Sequence, residues 1–284
     1  MNISEVLAET SVSSLDLSRF VSVTPDATVE TTVETMAAVK WSCAFIMEGS
    51  HIGGIFTQRD ALQRAVGRPG NWQREIREEM TVAVKTMRDT DSVADGLAIM
   101  NNWWVRSVPV LDSNDHVVGN LSYYVVMQAI ADFVKQQIGE AASEPEVQHG
   151  LAFVDFTGMN TSTPVMVRDD DTVEAAVHQM RARGIGSVLV VDAGDSLVGM
   201  LTEFDLFTKL GCHVPDLTAI NVSGVMSDDI VALSARSPVA TVIDEMAGHG
   251  FSHVPLLGES GRPVAVVSFR DIAAYLETSL AALG

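Results

Sequence analysis

Gly199-Met200-Leu201-Thr202-Glu203-Phe204-Asp205 is the stretch on which the reading of this chain turns, because versions of it occur four times. The others are Gly54-Ile55-Phe56-Thr57-Gln58-Arg59-Asp60, Gly119-Asn120-Leu121-Ser122-Tyr123-Tyr124-Val125 and Ala265-Val266-Val267-Ser268-Phe269-Arg270-Asp271. Each reads as the end of a strand running into a helix, with a hydroxyl at the turn. In three copies a carboxylate follows the hydroxyl by three residues. Thr57 to Ser122 spans 65 residues, Ser122 to Thr202 spans 80 and Thr202 to Ser268 spans 66. The longer periods, 145 from Thr57 to Thr202 and 146 from Ser122 to Ser268, describe a pair of units that was itself duplicated.

Positions outside the motif keep the same register. Met36, Met100, Met180 and Met246 fall in equivalent predicted helices that begin near Val29, Val93, Val173 and Val239, just after Thr28, Ser92, Thr172 and Pro238. Val173, Ala176, Val177 and Met180 recur at helical spacing and give one apolar face, so the methionine there is core filler. Short apolar runs follow: Cys43 to Met47, Ser107 to Leu111, Ser187 to Val191 and His253 to Leu257. Runs this short and rich in Val, Leu and Ile favour buried strands. Turn residues such as Asp112-Ser113-Asn114-Asp115 and Asp192-Ala193-Gly194-Asp195 lead to the strand that ends in the motif. A last helix follows each motif, for example Leu206 to Leu210 or Ile272 to Leu283. The unit is therefore strand-helix-strand-strand-helix, an α/β (α+β) arrangement, four times over.

Length and composition agree. A chain of 284 residues with 47% hydrophobic residues and a mean hydropathy of +0.21 has ample material for two buried cores. Cys43 and Cys212 are too few for a disulfide framework, and suit a core and a loop position in a reducing cytoplasm. No apolar run approaches the roughly 20 residues that span a bilayer, and no signal-peptide pattern opens the chain. A net charge of -19 sets the overall field against nucleic acid and anionic membranes. No P-loop, nucleophile elbow or paired-cysteine metal motif occurs, His249 and His253 straddle a helix end rather than pairing on one helix, and an enzymatic role is not expected. Trp103-Trp104 is expected to cover a module or dimer interface.

With these residues in place, the sequence resembles the CBS (cystathionine-beta-synthase) domain in four tandem copies. The resemblance rests on Gly-x-x-Thr-x-x-Asp together with the proline-containing strands Ser107-Val108-Pro109-Val110 and His253-Val254-Pro255-Leu256. It implies that units pair about a pseudo-twofold axis into Bateman modules. Module one would cover residues 1–139, with repeats at about 15–70 and 76–138; module two would cover 152–284, with repeats at about 155–211 and 222–284. The polar, Pro- and Gly-broken stretch 140–151 is the expected linker. Two modules can pair into a disc, within one chain or between chains, and a homodimer through the modules is expected.

The same resemblance implies a regulatory role as a sensor of adenosine-containing ligands, namely AMP, ADP, ATP or S-adenosylmethionine, with magnesium as companion to any phosphate chain. Asp60, Asp205 and Asp271 would accept hydrogen bonds from a ribose diol, with Thr57, Thr202 and Ser268 offering hydroxyls to sugar or phosphate. The alternative is that each hydroxyl is a helix cap completed by the acid three residues on. Val125 stands where the second copy needs its carboxylate, so that copy is degenerate. Ala265 replaces the motif glycine in the fourth copy, a mild change unless the backbone there needs positive φ.

Arg59, Arg106, His253 and Arg270 are the candidate phosphate ligands, against the alternatives of surface arginines and a satisfied histidine. An adenine slot would involve Val23 and Pro25, Thr161 and Val165, Ile230, and Ile185 and Phe251, all of them core-like on any reading. Binding would be strongest in module two, where all four motif residues persist. The change would pass to an effector protein. The other reading is a scaffold with vestigial sites, which the missing carboxylate and scarce cations favour.

Overall fold

The computed structural model describes residues 3–141, 156, 161, 163–210 and 216–281. Most of the expected linker, Cys212 and the end of the last expected helix lie outside the described residues. A short helix α1 (Ile3–Glu9) precedes the repeats. Repeat one contains β1 (Val21–Val23), α2 (Val29–Val39), β2 (Cys43–Glu48), β3 (His51–Thr57) and α3 (Gln58–Arg64), and a single-turn helix α4 (Ile76–Glu79) leads onward. Repeat two contains β4 (Met87–Arg88), α5 (Val93–Trp103), β5 (Ser107–Leu111), β6 (Val117–Ser122) and α6 (Tyr123–Ala141). Repeat three contains β7 (Met166–Arg168), α7 (Val173–Arg183), β8 (Ser187–Val191), β9 (Leu197–Thr202) and α8 (Glu203–Lys209). Repeat four contains β10 (Leu233–Ser234), α9 (Val239–His249), β11 (His253–Leu257), β12 (Pro263–Ser268) and α10 (Phe269–Ala281).

The four long helices begin where the sequence predicts. Thr28, Ser92 and Thr172 accept hydrogen bonds from the backbone N–H three residues on, while Pro238 starts α9 by its fixed φ without a side-chain bond. All four end on a left-handed residue: Lys40, Trp104, Gly184 and Gly250. Glycine takes that conformation freely, whereas Lys40 and Trp104 are strained in it. The helices after the motif start earlier than Leu206 and Ile272, immediately behind the turn hydroxyl: Thr202 caps α8 through its side chain, and at α10 the Ser268 N–H and hydroxyl both donate to Asp271.

Each repeat forms its own three-stranded sheet with the middle strand of the unit at its centre, parallel to the first and antiparallel to the third. The register is the same in all four: Thr57 faces Cys43, Ser122 faces Ser107, Thr202 faces Ser187 and Ser268 faces His253. The motif hydroxyl thus always lies opposite the first residue of the central strand. Beside the motif strand runs the segment leading into the partner repeat. Ile55 bridges Thr81, Met200 bridges Ser227, and the Asn120 N–H donates to the Leu17 carbonyl. This close approach explains the motif glycines. None of the three adopts positive φ, but a Cβ would fall 2.3 Å from a Met80 atom at Gly54, 2.3 Å from a Leu17 atom at Gly119 and 2.6 Å from the Met226 sulfur at Gly199. The requirement is space, not conformation.

The two modules pair within the one chain, through helices. One buried cluster joins repeats one and three, drawing Val33, Met36, Leu62, Val177, Met180 and Leu206 together. A second joins repeats two and four through Met100, Val126, Ile130, Ile243, Met246 and Ile272, with Leu7 of α1 tucked into it. At about 25 cal/mol per Å² of apolar surface, such shared cores dominate the association of the halves. Arg181 of α7 adds a polar tie, donating to the carbonyls of Leu62 and Val66 at the end of α3 at 2.6–2.9 Å. Trp103 and Trp104 do not bury: they are 58% and 71% exposed, with Lys85 over the Trp103 ring and the Arg270 guanidinium 4.6 Å from the Trp104 ring. Both side chains stay largely exposed, and Trp104 meets the other module through Arg270 of repeat four, which also donates to the Trp104 carbonyl.

Candidate functional site

The motif is first a helix cap. Asp205 Oδ2 accepts the Thr202 N–H at 2.9 Å and its hydroxyl at 2.5 Å, while Thr202 Oγ1 in turn accepts the Asp205 N–H at 3.1 Å. Asp60 repeats the arrangement on Thr57, at 2.9 and 2.6 Å. Asp271 does so on Ser268, at 2.7 and 2.6 Å. In each case the capping oxygen is Oδ2, which leaves Oδ1 to face other partners. Asp205 Oδ1 accepts the Ser227 hydroxyl at 2.7 Å and pairs with Lys209 Nζ at 3.0 Å. Asp60 Oδ1 lies 3.2 Å from Arg64 and 3.5 Å from the Thr81 hydroxyl. Ser227 and Thr81 belong to the lead-in segment of the partner repeat, so the motifs of copies one and three each read a polar atom from the other half of their module. Copy two keeps only the hydroxyl. Val125 is buried, and its N–H reaches Ser122 Oγ at 3.4 Å.

Thr202 and Asp205 open onto a cavity of about 660 Å³ at the junction of all four repeats. Repeat three supplies Gly186, Thr202, Glu203 and Asp205 to its wall; the lead-in to repeat four supplies Ser227 and Asp229 to Val231. Repeat one adds Trp41 and Gln58, repeat two adds Arg106, Tyr123 and Met127, and repeat four adds Phe251 and His253. The mixture of aromatic, aliphatic and a few convergent polar groups suits a small planar ligand.

At the centre lies a group that the sequence reading passed over. Glu203, 2% exposed, receives Arg59 Nε at 2.7 Å on one oxygen and Arg106 at 2.5 Å on the other. Burial pushes the Glu203 carboxyl up, but Arg106 and Arg59 together overcome this and hold it below the usual carboxylate range. Burial likewise opposes the charge on Arg106, and Glu203 more than restores it. Gly186 leaves the seat unhindered, because a Cβ there would stand 3.2 Å from Glu203 Oε2 and press on it. The other residues at the position after the turn hydroxyl are Gln58, Tyr123 and Phe269. Tyr123 and Phe269 pack against each other with centroids 3.9 Å apart, closing the opposite side of the junction. The signal in the sequence was this single acid among neutral counterparts.

His253, part-buried beside the triad, is pushed down to about 4 by desolvation and by the nearby Arg106, and is neutral at pH 7. Its Nδ1 lies 2.9 Å from Ser252 Oγ. Of the four candidate phosphate ligands, Arg59 and Arg106 are drawn together by Glu203. Arg59 also donates to the Gly184 carbonyl at 2.8 Å. Arg270 instead turns to Trp104, donating to its carbonyl at 3.3 Å.

Of the expected adenine slot, Ile230 and Phe251 line the cavity; Val23, Pro25, Thr161, Val165 and Ile185 do not. Ile230 stands nine residues before the start of α9, and the equivalent position before α2 is Phe20, three residues ahead of Val23. Phe20 stacks on Phe45 at 4.5 Å, and Val23 and Pro25 belong to the strand and turn that follow. Ser268 and Asp271, and Thr57 and Asp60, form their capping pairs away from this cavity wall. Among the described residues no group of three or more His, Cys, Asp or Glu gathers to hold a metal ion.

The repeat, the shared register and the paired units agree with what sequence comparison returns. The CBS domain is matched at residues 12–67, 74–132, 155–211 and 222–278. The chain belongs to the CBS-domain family. An uncharacterised 17.7 kDa protein of Acidianus ambivalens is 28% identical over 116 residues, which cover 41% of this chain and 69% of that one. The carnitine transport ATP-binding protein OpuCA of Listeria monocytogenes is 25% identical over 213 residues, 74% of this chain. This CBS protein spans about half the length of that relative, 47%. Among solved structures, protein MJ1225 of Methanocaldococcus jannaschii superposes with a TM-score of 0.75 at 14% identity, over 97% of this chain and all of that one. At that identity the likeness speaks for the fold, a pair of CBS modules joined in one polypeptide.

No helix among the described residues is long and apolar enough to cross a membrane.

Proposed function

We propose that this four-repeat CBS protein is a non-catalytic regulatory sensor, acting in the cytoplasm, that binds an adenosine-containing ligand and passes a conformational change to an effector protein. The observation that carries the reading is the cavity at the four-repeat junction, which places the Thr202–Asp205 pair, the Asp229–Val231 slot and Phe251 around one space of nucleoside size. Asp205 Oδ1 would exchange its Ser227 hydroxyl for a ribose hydroxyl, while Ile230 and Phe251 take the faces of the base. Thr57 with Asp60 and Ser268 with Asp271 would form further ribose positions. A ligand held here touches all four repeats. It shifts their packing to the extent that it binds one arrangement better than another.

Isothermal titration with adenosine, AMP, ADP, ATP and S-adenosylmethionine tests this, on protein whose co-purified small molecules have been identified by mass spectrometry. Micromolar binding that D205A abolishes is the expected result. Absence of binding by all five, with nothing retained in the purified protein, sinks the reading.

A second reading is a scaffold that binds its partner without a ligand. It is favoured by the use of every motif carboxylate as a cap and by the loss of the acid at Val125. Under it, D205A and D271A leave partner binding untouched.

A further inference from the structure

We infer that Glu203 is an intramolecular competitor for the phosphate of a ligand, so that the junction cavity favours adenosine-type ligands without a phosphate over phosphorylated ones. This rests on the proposed function and concerns the same cavity. A phosphate bound there needs donors, and the cavity's cationic side chains already have acceptors or aromatic partners of their own. Arg106 gives its guanidinium to Glu203, and Arg59, just behind it, gives Nε to Glu203 and another donor to the Gly184 carbonyl. Arg19 lies 3.7 Å over the Tyr124 ring, and His253 carries no charge at neutral pH. His249 lies 3.3 Å from Glu245 and stacks on Phe251, so among the described lining residues the exception is Lys40, at the exposed end of α2 on the rim.

Glu203 is not a surface acid that drifted inward. It is 2% exposed, its backbone N–H is tied to the Gly186 carbonyl at 2.9 Å, and the lack of a side chain at Gly186 leaves its carboxylate unpressed from that side. It also immediately follows Thr202, one of the two ligand-facing motif residues. A phosphate that reaches Arg106 must therefore displace Glu203 or sit beside its negative charge in a part-desolvated site. Displacement would break the only described link in which side chains of repeats one, two and three meet on one carboxylate. Phosphorylated ligands pay for that change out of their affinity; unphosphorylated ones leave the triad intact.

The experiment is paired titration of the full chain with adenosine and AMP, on wild type and on E203Q. If the Glu203-displaced state is populated at about 1–10%, removing the charge raises AMP affinity by roughly 10- to 100-fold. Adenosine affinity should change less than about threefold. Equal responses of the two ligands to E203Q overturn the inference. Wild-type protein gives a test that depends on no variant: AMP binding about tenfold or more tighter than adenosine overturns it, whether or not E203Q folds. G186A supplies an independent perturbation, since its methyl, 3.2 Å from Oε2, presses on the carboxylate without removing the charge; AMP should gain on adenosine there too, by less than in E203Q. If neither ligand binds wild type or variant, it is the sensor reading that has failed.

Discussion

A buried carboxylate clasped by two guanidinium groups is costly to disturb from one side. Replacing Glu203 by alanine leaves Arg59 and Arg106 facing one another without their shared anion, and should lower unfolding free energy by about 3–5 kcal/mol in urea melts. The sign of its pH dependence follows from its depressed folded value. The stabilisation from Glu203 is complete above the ordinary carboxylate pKa of 4.5 and is lost as pH falls through the lower folded value. His253 acts in a separate window. Its folded value of about 4 lies below the ordinary histidine value of 6.5, so the unfolded chain binds more protons between those limits. Stability should therefore be highest above 6.5 and fall as pH drops toward 4, by on the order of 1–2 kcal/mol between pH 7 and 5. H253Q should flatten that part of the profile, measured as the denaturation midpoint against pH. At this scale the sequence was only half readable. The pairing of Thr202 with Asp205 follows from spacing alone, whereas the convergence of Arg59, Arg106 and Glu203 needs three repeats to meet, and no local pattern announces it.

Elements were the most legible level, because each repeat states its own boundaries. Thr28, Ser92 and Thr172 start their helices as capping chemistry requires, and the strands Ser107–Leu111, Ser187–Val191 and His253–Leu257 fall on the predicted residues. What local reasoning left open was why the motif carries glycine. The structure answers at Gly199, where a Cβ would lie 2.8 Å from the Ser227 carbonyl oxygen. Backbone cannot swing aside as a methionine can, so G199A should cost about 1–3 kcal/mol and loosen the Met200–Ser227 bridge, visible as faster amide exchange at Met200. The helix ends give a prediction of opposite sign. Lys40 holds a left-handed φ of 57° that glycine would take without strain. K40G should raise stability by roughly 0.5–1 kcal/mol in the same urea assay.

At the level of the whole molecule, both large cores take residues from both modules, so neither module keeps a complete apolar interior by itself. Thermal unfolding followed by calorimetry should accordingly show one cooperative transition rather than two. Two well-separated transitions would mean that the helix faces contribute little. This pairing was open in the sequence, since repeat spacing cannot say whether modules meet within a chain or between chains. α1 was missed outright, although Leu7 is buried among repeats two and four, because it falls outside the repeat that organised the reading.

The union of both modules in one polypeptide also changes what a single substitution can do. In a disc assembled from two identical chains, every altered codon appears twice, related by symmetry, and an acid gained at one position is gained again across the axis. Here the position held by Glu203 is Phe269 in its own module, and Gln58 and Tyr123 in the other. One gene with four unequal copies can therefore adjust each quarter of the molecule separately, and its response to a ligand need not be symmetric.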